Sequence, residues 1–141
     1  MLKFLQKVRD AMRSSYRPNP CRREQVVQFL AQRPSRSHEE WRRDFAPEIP
    51  LSFIAWYRET CSKCFGYDLS AALPDDRLVE DLGFSDATWS DADWDLLEDF
   101  EGQFGCKRPA LAHVTTFGQF LEALWSHAHA NNATSFNGLR K

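Results

Sequence analysis

Within residues 91–104 the apolar side chains recur at intervals of three and four: Trp94, Leu97, Phe100 and Phe104, with Leu96 beside them. That spacing lines one face of an α-helix and does not suit a strand, where the period is two. Asp91, Asp95, Glu98, Asp99 and Glu101 fall largely on the opposite face. Ser90 begins an S-x-x-D run with Asp93, a capping-box variant, and acids in a first turn suit the positive end of the helix dipole. Gly105 supplies a stop. The chain must therefore place a helix here with one face in a core and one acidic face.

The same punctuation recurs elsewhere. Residues 1–15 carry Leu2, Leu5, Val8 and Met12 at helical spacing, which predicts a short basic amphipathic helix broken by Pro18 and Pro20. A second helix is expected over residues 22–33, with Val26, Val27, Phe29 and Leu30 for burial, ended by Pro34. Ser37 and Glu40 have the form of a capping box and open a short helix through Trp41 to Phe45. Pro47 and Pro50 stop it, because each proline pushes its predecessor out of the helical region.

Over residues 51–65, Phe53, Trp56, Tyr57, Cys61, Cys64 and Phe65 share one face, and Gly66 is placed to cap the C-terminus. Residues 67–76 read as a loop with Leu69 and Leu73 as apolar plugs. A turn over 78–84 ends at Gly83. Thr116 and Gln119 form another capping box, followed by Phe117, Phe120, Leu121, Leu124 and Ala128 on one side of a last helix. No strand alternation of useful length occurs, so the class is all-α. At 141 residues one core is the default. The expected organisation is a basic helical extension over 1–47, a helical domain over 48–130, and a polar, disordered tail over 131–141.

Charge is segregated. Residues 1–45 carry a net +6 and residues 46–141 a net −8, so the two parts should attract each other or different partners. Residues 75–101 hold eleven acids against Arg77 alone, which excludes a nucleic-acid partner for that region by repulsion. No run of 18 apolar residues is present, so no membrane span is expected. Four cysteines without a secretory signal point to a reducing, cytoplasmic setting and free thiols.

Cys61 and Cys64 are spaced as a C-x-x-C pair, but near a helix C-terminus the dipole opposes a thiolate, and no second paired spacing supplies zinc ligands. Buried thiols are expected, and His127 and His129 are expected at the surface. No nucleophile motif or phosphate-binding glycine loop is found, so the residues point away from an enzyme and toward no metal or cofactor.

Taken together, Val79-Glu80-Asp81-Leu82-Gly83, the acidic helix ending in Gln103-Phe104, and Val114-Thr115-Thr116 ahead of the last helix resemble an acyl carrier protein over residues 49–129. The resemblance implies a three- or four-helix bundle and places the family's 4′-phosphopantetheine attachment at Ser90. The family's Asp-Ser-Leu is Trp89-Ser90-Asp91 here, and the interval from Gly83 is about four residues longer. The stretch Leu96-Leu97-Glu98-Asp99-Phe100-Glu101-Gly102-Gln103-Phe104 also resembles the helix ending of an uncharacterised bacterial family of carrier-like domains that generally lacks the serine. The leading expectation is a non-catalytic recognition module docking a basic protein partner through Asp86, Trp89, Asp91, Asp95, Glu98, Asp99 and Glu101. A phosphopantetheinylated carrier, and an immunity or inhibitor protein masking a basic toxin site, are the alternatives.

Overall fold

The computed structural model describes residues 19–84 and 92–131. They form five helices: α1 (Pro20–Ala31), α2 (His38–Phe45), α3 (Leu51–Phe65), α4 (Ala92–Phe104) and α5 (Phe117–Asn131). The all-α class holds among the described residues, where the only extended pairing is the isolated bridge between Arg77 and Thr116. No described helix is long and apolar enough to cross a membrane. The expected helix over 1–15, the tail from residue 132, and Asp86, Trp89, Ser90 and Asp91 lie outside the described residues.

Helix ends follow local chemistry. In α2 the Ser37 hydroxyl accepts from the Glu40 N–H at 3.1 Å, and the Glu40 carboxylate accepts from the Ser37 N–H at 3.3 Å. At α5 the Thr116 hydroxyl accepts from the Gln119 N–H at 3.1 Å, and the Gln119 amide oxygen accepts from the Thr116 N–H at 3.2 Å. Both expected capping boxes are therefore formed. Gly66 closes α3 in the left-handed region, at φ 80°.

One boundary differs from expectation. Pro20 opens α1, two residues ahead of the expected start at Arg22. Proline at the first helical position sacrifices only an N–H that would have no helical partner, and Asn19 caps the turn by accepting from Cys21 and Arg22. Val26 and Leu30, four residues apart, share the buried face, whereas Val27, also expected inside, stands about 100° round the helix from Val26 and is 43% exposed.

α3 is the central element. Its Phe53, Ile54, Tyr57, Cys61 and Phe65 are buried on one side or another, with α2, α4 and α5 packed around it. The Tyr57 hydroxyl donates to the Phe117 carbonyl at 2.7 Å, tying α3 to the first turn of α5. The core crosses the expected division at 47/48 without a break. Trp41 of α2 is fully buried, donates its indole N–H to the Ala72 carbonyl at 3.0 Å, and stands edge-on to Phe117. Val26 and Leu30 of α1 join the same cluster.

The acidic helix as a candidate docking face

The turn ahead of α4 is held from three directions. The Leu78 N–H donates to the Thr115 carbonyl at 2.9 Å, which joins the turn to the residues opening α5. Within the turn, the Arg77 N–H donates to the Asp81 carboxylate at 2.8 Å, and the Phe84 N–H closes back on the Leu78 carbonyl at 2.9 Å. Gly83 has φ 73°, a conformation that side chains with a Cβ disfavour, so the glycine is required where the chain reverses. From α1, Arg22 donates to the carbonyls of Val79 and Glu80, and Arg23 donates to those of Phe65 and Gly66 while lying over the Tyr67 ring. The Tyr67 hydroxyl in turn donates to the Leu82 carbonyl.

α4 keeps its expected two faces. Leu96, Leu97, Phe100 and Phe104 are buried, with Phe104 packed on Trp56 and Phe53 at centroid distances of 4.8 and 4.9 Å. Glu98 and Asp99 lie three and four residues after Asp95 on the opposite side; Glu98 is exposed and the other two are half-buried. Cations from neighbouring segments reach this face. Lys63 of α3 comes within 3.6 Å of Asp99, and Arg108, just past the helix, grips Glu101 at 2.8 Å. That grip holds the Glu101 carboxyl below the usual carboxylate range. The structure thus gathers Asp95, Glu98 and Asp99 into a stripe and directs Glu101 toward Arg108.

Burial pushes the Cys61 thiol above its ordinary range, with Cys64 adding to the effect and Tyr57 opposing it. A thiol held protonated is a poor nucleophile. All four cysteines are free. Among the described residues no group of three or more His, Cys, Asp or Glu is placed to hold a metal. An open groove of about 590 Å³ lies between the 109–113 loop and α5, with His113, Glu122, Ser126 and His127 along it.

No family model, curated protein or solved structure matches the chain.

Two groups at the centre of the charge arrangement are not in the expected site. Asp76, 5% exposed, accepts from both terminal nitrogens of Arg33 at 2.6 and 2.9 Å and from the Leu73 N–H at 2.8 Å. Arg58 is 2% exposed on α3. A signal for Arg58 existed in its register: it lies four residues after Ile54 and three before Cys61, on the face that the apolar spacing sends inward. Asp76 had no comparable signal, because its partner is 43 residues away.

Proposed function

We propose that the chain is a non-catalytic protein-recognition module whose α4 stripe, Asp95, Glu98 and Asp99, docks a partner with a basic surface. The observation that carries this reading is the unequal use of the two faces of α4: one is in the core, while the other concentrates carboxylates on a helix that contains no Lys or Arg. Like charges at this density oppose folding, and a complementary partner surface removes that cost while steering encounter.

The test is to immobilise the full chain, identify the protein it retains from a lysate, and measure that partner's association rate with purified variants. Asp95→Lys combined with Glu98→Lys is expected to slow association about tenfold or more at low salt, with the difference shrinking as salt is raised. Equal rates for the variant and the unmodified chain would sink the reading.

A second reading, a phosphopantetheinylated carrier with the arm on Ser90, is favoured by one observation. The Asp81-Leu82-Gly83 turn and the Thr115-Thr116 segment, two of the motifs that carry the resemblance, meet through the Leu78 to Thr115 hydrogen bond and the Arg77 to Thr116 bridge. Incubation with coenzyme A and a broad-specificity phosphopantetheinyl transferase, followed by intact-mass measurement, separates the two: an added mass that Ser90→Ala abolishes supports the carrier.

A further inference from the structure

Arg58 holds an inward-facing charge by an unusual set of partners. Its Nη2 donates to the carbonyls of Arg36 and Ser70, at 2.9 and 2.5 Å, and its Nη1 lies 2.9 Å from Nδ1 of His38. Its Nε has no partner, and none of its hydrogen-bonding partners among the described residues is a carboxylate. The guanidinium stands 5.7 Å from the Trp41 ring centroid.

A guanidinium can only donate. His38 Nδ1 must therefore present a lone pair, which fixes the imidazole as the neutral ring with its hydrogen on Nε2. That hydrogen points to the Glu59 carboxylate, 3.2 Å away. A neutral histidine thus relays a half-satisfied, buried cation on α3 to an exposed carboxylate on the next residue of the same helix.

Protonation reverses the relation. A hydrogen on Nδ1 would face the Arg58 Nη1–H donor to donor and cation to cation across 2.9 Å. Glu59, whose side chain is 70% exposed, offers the imidazolium a partner on the solvent side. The other charges around this joint are Asp68 and Glu59, which both attract Arg58, the Arg36 guanidinium, which is paired with Asp44, and Glu39 and Glu40 in the first turn of α2. Among these groups the histidine is the one whose ordinary titration range spans the physiological window.

What Arg58 joins makes the event structural. Its Nη2 spans the linker between α1 and α2, through Arg36, and the 66–76 loop, through Ser70. Two weaker ties parallel it: the Ser35 and Ser70 hydroxyls at 3.0 Å, and the Arg36 N–H to the Ser70 carbonyl at 3.4 Å. We propose that His38 is a proton-operated latch: neutral, it completes the cradle of Arg58 and keeps the linker on the loop; protonated, it turns to Glu59 and releases the joint.

The experiment is NMR on the full chain, following the Arg58 guanidinium N–H signals and the His38 ring nitrogens from about pH 8 to pH 5. Guanidinium exchange with water is base-catalysed, so acidification alone slows it. The latch instead requires the Arg58 signals to weaken severalfold as His38 takes up its proton, and requires neutral His38 to carry its hydrogen on Nε2. His38→Gln, whose amide oxygen accepts from Arg58 at every pH, is expected to keep the signals throughout. Glu59→Gln, a surface change that leaves the fold in place, is expected to move the midpoint a few tenths of a pH unit lower. Arg58 signals that persist at pH 5 in the unmodified chain, a neutral ring protonated on Nδ1, or an unmoved midpoint in Glu59→Gln would each overturn the proposal.

Discussion

Gly118 and Pro74 are in direct backbone contact: the Gly118 N–H donates to the Pro74 carbonyl at 2.9 Å, and a Cβ built on Gly118 would stand 2.7 Å from the Pro74 Cβ. The first turn of α5 is therefore seated on the 66–76 loop at a distance only glycine allows. Gly118→Ala is expected to destabilise the fold by about 1–3 kcal/mol through overpacking, despite alanine's better helix propensity. Urea denaturation measures it; a stabilised variant would mean that the loop yields freely.

The Arg33 to Asp76 pair joins the linker just past α1 to the same loop, and the Asp76 carbonyl also accepts the Phe117 N–H at 2.9 Å. Asp76→Ala would leave a partly buried guanidinium and the Leu73 N–H without their acceptor. A loss of about 2–3 kcal/mol is expected, and Arg33→Ala made in the same chain should add less than it costs alone. Thermal unfolding of the two single variants and the double variant tests the coupling.

The thiols should separate by burial. Cys21 is exposed in the first turn of α1, whereas Cys61 is fully enclosed on α3 and its thiol is held protonated. An aromatic disulfide reagent is expected to label Cys21 within the mixing time of a slow assay and Cys61 only at the rate of unfolding. Mass mapping of labelled peptides decides it.

Stability should fall on both sides of neutrality. In the native chain Glu40 is held below its ordinary range by Ser37, Asp44 by Arg43 and then Arg36, and Glu101 by Arg108. Burial alone would raise Asp81, but the Arg77 N–H and guanidinium hold it low. A depressed carboxylate stabilises the native state above its unfolded value, about pH 4, and that contribution is lost as pH falls through the native value. Burial raises the phenols of Tyr57 and Tyr67. A raised group contributes fully below its unfolded value, about pH 10, and the contribution is lost as pH rises beyond it. Urea midpoints at intervals from pH 3 to pH 11 check both limbs, and Glu101→Gln should shrink the acid one.

Several features were legible in the sequence because their causes lie within a few residues. Ser37 with Glu40 and Thr116 with Gln119 set helix starts, Gly66 sets an end, and the spacing of Leu97, Phe100 and Phe104 turns one side of α4 inward. The stripe of Asp95, Glu98 and Asp99 follows from the same period. The start of α1 at Pro20 was not legible in its apolar spacing, because a proline at the first helical position contributes neither an apolar repeat nor a capping side chain.

Tertiary structure decided the rest. Lys63 facing Asp99, Arg33 on Asp76, Arg58 on His38, and Gly118 against Pro74 join residues that no local pattern relates. The sequence determined that residues 46–141 would carry a net negative charge, that helices would form on the apolar repeats within them, and that basic residues would precede them. It could not determine which cation meets which anion, because charge attracts without specifying a partner, and the pairing is settled only when packing around α3 fixes which side chains are within reach.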